Sequence, residues 1–309
     1  MALKEHILLR VPTQEILLPE LKEKKVRLFV RREDTIHPLL SGNKYRKLKY
    51  NLEAAKERGC QKLITFGGAF SNHITATAFA GKEKGFATVG IIRGDELKDS
   101  WQLNPTLALA SELGMQFKFI SREAYRTKND ADFTEQLHEE YGAAYILPEG
   151  GTNTLAIKGC QEILSQDDAH FDVICSSVGT GGTLAGLINA SFPNQHILGF
   201  PALKGDFLQK DICSFVEKTN WELVTAYHFG GYAKVSETLI TFINDFKKET
   251  GILLDPVYTG KMMFGIMDQI RSGFFNGGTR ILAIHTGGLQ GIHGMNKYLK
   301  KKELPVIEL

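Results

Sequence analysis

Short apolar segments alternate with amphipathic segments along this chain of 309 residues, and this alternation constrains the fold more than any other feature. The apolar segments are rich in β-branched residues and apolar on both faces, as buried parallel strands are. They cover Val26–Val30, Lys62–Phe66, Thr88–Ile92, Gln116–Ile120, Ala144–Leu147, Val173–Cys175, Ile197–Phe200 and Ile281–Ile284. Helical patterns cover Lys44–Arg58, Asn72–Lys84, Leu107–Leu113, Phe133–Tyr141, Ala156–Leu164, Thr183–Ala190, Glu237–Thr250 and Met262–Arg271. Such alternation predicts an α/β fold with mainly parallel sheets, and the number of strands predicts two domains.

Composition and charge indicate a soluble, cytoplasmic globular enzyme or binding protein. The hydrophobic share is 43% and the net charge is only +2, which gives no reason to expect a nucleic-acid or membrane partner. The four cysteines form no C-x-x-C pair, so they favour neither a zinc site nor a disulfide framework. We also expect no signal peptide in the stretch that begins at Met1–His6, and no metal site.

Glycine-rich loops follow several of the predicted strands, where ligands bind in open α/β sheets. The sequence GTGGT at Gly179–Thr183 lies between a strand and a helix. Its glycines let backbone N–H groups approach an anion, and the start of the helix adds a favourable dipole. This pattern predicts a phosphate-binding loop, although a turn needed only for close helix–strand packing has the same composition.

Lys44 lies near the start of a helix in the basic segment Ser41–Leu48, SGNKYRKL. In isolation this pattern is typical of a surface lysine in a basic helix. A lysine that carries a cofactor as a Schiff base needs a lowered pKa and a carbonyl partner. The phosphate-binding loop in the same α/β chain makes Lys44 the candidate for that lysine.

The chain resembles the fold-type II pyridoxal-phosphate enzymes, and within them the group that contains 1-aminocyclopropane-1-carboxylate (ACC) deaminase and D-cysteine desulfhydrase. The resemblance runs from about Val26 to Gly291. It depends on six segments in the family's order: Ser41–Leu48, Gly67–His73 (GGAFSNH), Pro148–Asn153 (PEGGTN), Gly179–Thr183, Asp255–Lys261 (DPVYTGK) and His285–Gly288 (HTGG).

The resemblance implies a fold like that of the tryptophan synthase β subunit, with the active site between two domains that each contain an open, twisted, mainly parallel sheet. A large pyridoxal-phosphate domain would comprise residues 1–53 and 158–309, and a small domain residues 54–157. It also implies a homodimer and a small amino-acid substrate.

Site roles follow from the resemblance in the same way. Lys44 would carry pyridoxal 5'-phosphate and move protons on the substrate. Ser71, Asn72 and His73 would hold the substrate carboxylate, with Ser71 able to act in catalysis and Asn72 also near the cofactor. The phosphate would bind to Gly179, Thr180, Gly181, Gly182 and Thr183. Tyr258 and Tyr232 would lie beside the cofactor and across the pocket. Asn43 would either contact the cofactor or cap the following helix.

Two positions distinguish the reactions within the group. The resemblance implies that ACC deaminases carry Glu after the pocket tyrosine and Leu before the late Gly-Gly, whereas D-cysteine desulfhydrases carry hydroxyl residues. This chain has Thr259 and Thr286. The resemblance implies that both would contact the cofactor and that Thr286 would also lie near the substrate, although both also occur as ordinary turn residues in such loops. The predicted reaction is β-elimination from a D-amino acid such as D-cysteine. ACC deamination, a racemase or dehydratase reaction and non-catalytic binding of the cofactor are the alternatives.

Overall fold

A computed structural model describes residues 11–40 and 42–309. The N-terminal stretch Met1–His6 and Ser41, the first residue of the lysine segment, lie outside the described residues. Within the described part, no helix combines the length and apolar character needed to cross a membrane.

The larger of two sheets has six strands in the order β1-β2-β10-β7-β8-β9. Its strands are β1 (Thr13–Ile16), β2 (Arg27–Arg31), β7 (Val173–Val178), β8 (His196–Pro201), β9 (Trp221–Leu223) and β10 (Arg280–Ile284). Only the pairing of β1 with β2 is antiparallel. Because β10 is central and apolar on both faces, Ile281 and Ile284 are fully buried. Each such side chain stabilises the fold by about 1.5–3 kcal/mol relative to an exposed one.

The smaller sheet has four parallel strands in the order β5-β4-β3-β6. They are β3 (Lys62–Gly67), β4 (Ala87–Arg93), β5 (Met115–Ile120) and β6 (Ala144–Leu147). The helices that cover the two sheets are α1 (Pro19–Glu23), α2 (Asn43–Glu57), α3 (Asn72–Lys84), α4 (Pro105–Glu112), α5 (Ala131–Tyr141), α6 (Thr154–Gln161), α7 (Gly182–Ala190), α8 (Phe207–Cys213), α9 (Glu237–Thr250), α10 (Thr259–Arg271) and α11 (Ile292–Lys301).

All eight predicted strands and all eight predicted helices are present, so the α/β class and the parallel sheets are confirmed. The sequence did not predict two of the strands, β1 and β9, or three of the helices, α1, α8 and α11. The strands β1 and β9 lie at the edges of the large sheet, where one side of the backbone has no partner strand and the apolar pattern is weak. The division of the chain at residues 54 and 157 stays a prediction, although β3–β6 all lie within it.

Candidate active site

The helix α2, which carries Lys44, begins at a point of unusually close backbone contact. Gly42 has φ +61°, and a Cβ atom there would lie 1.9 Å from the carbonyl oxygen of Thr286, so only glycine fits. The next residue, Asn43, donates from Nδ2 to Oγ1 of Thr183 at 2.8 Å. Asn43 is the first residue of α2, and the N-cap position is occupied by Gly42. These contacts join the start of α2 to the late glycine loop and to the start of α7.

Lys44 and Lys47 lie on the same side of α2 and point into one cleft. Lys44 is half-buried, and burial together with the charge of Lys47 holds its pKa well below the usual lysine value. Its Nζ atom lies 3.4 Å from the carbonyl oxygen of Gly150. A lysine with a lowered pKa carries a lone pair on Nζ near neutral pH, as a nucleophile or a base requires.

Lys47 is fully buried, and its three hydrogen bonds all go to uncharged oxygens. Nζ donates to the carbonyl of Gly150 at 3.0 Å, to Oγ1 of Thr152 at 2.9 Å and to Oγ1 of Thr180 at 3.3 Å. Among the described residues no carboxylate lies within ion-pair distance of it. Because a buried cation without a carboxylate is costly, this arrangement fits an anionic ligand.

The predicted phosphate-binding loop lies beside Lys47. Gly181 has φ +79° and caps the N-terminus of α7, where backbone N–H groups have no partner within the helix. A Cβ atom on Gly182 would lie 2.8 Å from Oγ1 of Thr152 and 3.3 Å from Nζ of Lys47. The helix start, the threonine hydroxyls and the buried ammonium therefore surround one small space, which fits a phosphate group.

A buried ion pair fixes α2 from behind. Arg46 donates from Nε and Nη2 to the two carboxylate oxygens of Glu33, each at 3.0 Å. Both side chains are almost completely buried. This bidentate pair anchors the turn of α2 that lies between Lys44 and Lys47.

The predicted carboxylate-binding loop lies at the N-terminus of α3. Ser71 precedes the helix, makes no capping hydrogen bond and lines the cleft. Asn72 packs against Gly288, where a Cβ atom would lie 2.7 Å from Nδ2. The ring of His73 is buried against Gly151, and neither ring nitrogen has a hydrogen-bond partner in the described part of the chain. Burial and the charges of the nearby lysines hold the pKa of His73 well below its usual value, so its ring is neutral.

Tyr232 and Tyr258 form an aromatic pair on the opposite wall of the cleft. Their ring centroids are 6.2 Å apart at an interplanar angle of 65°. Burial raises the pKa of both hydroxyls. Both groups therefore stay protonated near neutral pH and can donate hydrogen bonds.

The two threonines that distinguish the reactions have different surroundings. Thr286 lines the cleft, and its Oγ1 lies 3.2 Å from Oγ of Ser177. Thr259 is fully buried behind Tyr258 and is absent from the cleft wall among the described residues. Its hydroxyl donates to Oδ1 of Asp255 at 2.8 Å and accepts from the backbone N–H of Asp255 at 2.9 Å.

The cleft has a volume of about 470 Å³ and brings together most of the predicted site. Its wall includes Lys44, Ser71, Asn72, His73, Gly179, Thr180, Gly181, Thr183, Tyr232, Tyr258 and Thr286, while Gly182 lies just behind it. The sequence prediction missed Lys47, Ser177 and Arg93, which also line the cleft. The spacing of Lys47, one helical turn after Lys44, was the available signal for the first of these.

Comparison with known proteins assigns the fold and the cofactor chemistry to a family. Residues 8–287 match the family model described as "Pyridoxal-phosphate dependent enzyme". A solved structure titled "Crystal Structure Analysis of the ACC deaminase homologue" superposes with a TM-score of 0.80 at 28% identity, covering 94% of this chain and 93% of that one.

Of two similar proteins, one is named as an ACC deaminase and the other as a D-cysteine desulfhydrase. A protein of Thermotoga maritima, provisionally named an ACC deaminase, is 33% identical over 93% of this chain and 97% of its own length. A D-cysteine desulfhydrase of Klebsiella pneumoniae is 26% identical over 94% of this chain and 96% of its own length.

Proposed function

The chain belongs to the pyridoxal-phosphate dependent enzymes, and from this premise we propose that it catalyses β-elimination from a small D-amino acid. With D-cysteine the products would be pyruvate, ammonia and sulfide. The observation that carries the proposal is that the positions which distinguish the two reactions hold neutral hydroxyls: Thr286 lies on the wall of the cleft that contains Lys44, and Thr259 is buried behind Tyr258.

Several groups of the cleft would hold the cofactor. Lys44 would bind it covalently, and the Gly179–Thr183 loop would hold its phosphate at the start of α7. Lys47 would neutralise that phosphate with its buried ammonium group. When bound, pyridoxal phosphate supplies an electron-withdrawing ring that stabilises negative charge at the substrate's α-carbon.

The remaining residues bind the substrate and move its proton. The free N–H groups at the start of α3, with the hydroxyl of Ser71, would hold the α-carboxylate. Lys44 would accept the α-proton of the bound substrate, because its lowered pKa makes the neutral form available. The protonated hydroxyls of Tyr232 and Tyr258 would orient the β-substituent and donate to it as it leaves.

The neutral hydroxyls favour elimination over ring opening for a chemical reason. ACC has no α-proton, so its ring opening depends on a strongly electron-withdrawing cofactor, which a carboxylate beside the pyridine nitrogen would support. In this chain Thr259 offers no carboxylate, and the one nearby, Asp255, is occupied by four hydrogen bonds from the start of α10. Elimination from a D-amino acid starts with loss of an α-proton, so it requires weaker electron withdrawal by the cofactor ring.

A substrate panel with the purified holoenzyme tests the proposal. D-cysteine, L-cysteine, D-serine and ACC are supplied separately, and pyruvate and 2-oxobutanoate are measured. We expect pyruvate from D-cysteine and no 2-oxobutanoate from ACC. Turnover of ACC without turnover of D-cysteine would contradict the proposal and support the second candidate, ACC deamination, which the names of the Thermotoga maritima relative and the solved homologue favour.

We also propose that the chain forms a homodimer in the cytoplasm and divides into the two domains predicted from the resemblance, 54–157 and the remainder. Support for the domain division comes from the two separate sheets, since every strand of the smaller one lies between residues 62 and 147. Light scattering of the purified holoenzyme would measure the mass, for which we expect twice that of the 34.4 kDa chain.

A further inference from the structure

Arg93 is the last residue of β4 and lines the cleft at its open side, on the wall formed by the smaller sheet. The other arginine that lines the cleft, Arg122, has a carboxylate partner, since its Nη2 atom lies 2.7 Å from Oε1 of Glu96. Within the described part of the chain, no carboxylate lies within 4 Å of the Arg93 guanidinium group.

Two contacts hold the side chain of Arg93 toward the cleft. Its guanidinium group lies 5.7 Å from the ring centroid of Tyr125, which is buried. Its Nη2 atom lies beside Gly68, at 3.5 Å from where a Cβ atom would be, an ordinary van der Waals distance. Gly68 belongs to the same loop as Ser71, so the exposed side chain of Arg93 lies next to the predicted substrate-binding loop.

The start of α3 would provide donors for one anion, the α-carboxylate. Arg93 provides a second positive charge on the cleft wall, separate from the start of α3. Tyr232 lines the same cleft as Arg93, so a phenol and a guanidinium group border one space. A phenol and a guanidinium group around one space suit an oxyanion or a thiolate.

We propose that Arg93 binds negative charge on the β-substituent of the substrate, so that the enzyme acts on small D-amino acids whose β-substituent is anionic, such as a sulfonate or a phosphate. This inference depends on the proposed β-elimination and names its substrate class.

The α C–H bond breaks and its proton passes to Lys44, while its electron pair forms the Cα–Cβ double bond. The Cβ–X bond breaks and X leaves with its own electron pair as sulfite or phosphate. Water then hydrolyses the released enamine to pyruvate and ammonia.

The test compares an anionic and a neutral substrate in the holoenzyme. D-cysteate and D-O-phosphoserine carry anionic β-substituents, and β-chloro-D-alanine carries a neutral one. The variants are Arg93→Met and, as a matched control, Arg126→Met, which removes the same charge from an exposed residue beside Tyr125 that does not line the cleft. Cofactor content is measured for each variant, and Arg93→Gln replaces Arg93→Met if the latter fails to retain the cofactor.

We expect Arg93→Met to lower kcat/KM for both anionic substrates by about 10- to 100-fold, the range for losing a hydrogen-bonded charge. In Arg93→Met, kcat/KM for β-chloro-D-alanine should change by less than about threefold. In Arg126→Met, kcat/KM for each of the three substrates should change by less than about threefold. Equal losses with charged and neutral substrates, or no loss, would overturn the role of Arg93 alone. The absence of pyruvate from both anionic substrates in the unmodified enzyme, with pyruvate still formed from D-cysteine, would overturn this inference alone. The absence of pyruvate from D-cysteine as well would overturn the proposed elimination, and this inference with it.

Discussion

Lys44 and Lys47 share one acceptor: their Nζ atoms lie 3.4 Å and 3.0 Å from the carbonyl oxygen of Gly150. Two ammonium groups so close to one oxygen repel each other, and burial penalises both charges. That cost falls unequally on the two lysines, because Lys47 has two further hydroxyl acceptors, whereas Gly150 is the only acceptor of Lys44 among the described residues. Lys44 is thereby suited to lose its proton and Lys47 to keep it.

Replacing Lys47 with Met should weaken binding of the cofactor by about 10- to 100-fold, because the phosphate loses a charged hydrogen-bond donor. Lys56→Met is the matched control, since Lys56 is an exposed lysine of the same helix outside the cleft. The dissociation constant of pyridoxine 5'-phosphate, which has no aldehyde to react with Lys44, measures the effect by calorimetry. Equal affinities of the two variants would show that Lys47 does not contact the phosphate.

The same ligand should bind with a characteristic pH dependence. Burial lowers the pKa of Lys47 to about 8 in the cofactor-free protein, so Lys47 loses its proton as the pH rises through about 8. A phosphate dianion favours the protonated form and raises the pKa of Lys47 in the complex. The affinity should therefore fall as the pH rises above about 8, by up to about tenfold per pH unit.

Measuring this profile in Lys44→Ala removes the titration of the neighbouring lysine. In the double variant Lys44→Ala with Lys47→Met, the affinity should stay level between about pH 8 and pH 10. A decline of the same slope in both proteins would assign the titration to another group.

The sequence predicted the fold well because buried parallel strands carry a strong local signal. Strands such as β3 and β10 are mostly apolar and almost entirely buried, and helices such as α9 and α10 have clear amphipathic patterns. The edge strand β9 has only three residues, none buried, and its place depends on pairing with β8. Such pairing is a property of the assembled sheet, which short segments do not reveal.

The site was predicted less completely, since its remaining members depend on distances between segments. The role of Lys47 depends on its contact with Thr152 and Thr180, which are more than 100 residues away in the chain. Arg93 is an ordinary arginine at a strand end until the fold places it beside Gly68. The hydrogen bond from the hydroxyl of Thr259 to Asp255 is likewise not predictable from the sequence.

Replacing Thr259 with Val should lower the free energy of unfolding by about 1–3 kcal/mol, because it leaves the buried N–H of Asp255 without an acceptor and its carboxylate with one donor fewer. Thr259→Ser keeps the hydroxyl and should cost about 1 kcal/mol or less. Urea denaturation of the cofactor-free proteins measures both. Equal free energies of unfolding for Thr259→Val and Thr259→Ser would show that the hydroxyl has no structural role.

The ion pair behind α2 should contribute far more to stability than a surface pair. Arg46→Met leaves the carboxylate of Glu33 buried and unpaired, and should destabilise the protein by about 3–5 kcal/mol. The control is Arg27→Met, which breaks an exposed pair with Glu15 and should cost less than about 1 kcal/mol. Similar midpoints of urea denaturation for the two variants would contradict the anchoring role of Arg46.

The central claim is that Lys44, and not its neighbour Lys47, binds the cofactor covalently. The most direct measurement is reduction of the holoenzyme with borohydride, followed by proteolysis and mass spectrometry of the peptide that retains the cofactor. We expect the reduced cofactor on Lys44, and none retained by Lys44→Ala under the same treatment. Modification of Lys47 in the unmodified enzyme, or covalently retained cofactor in Lys44→Ala, would contradict the claim.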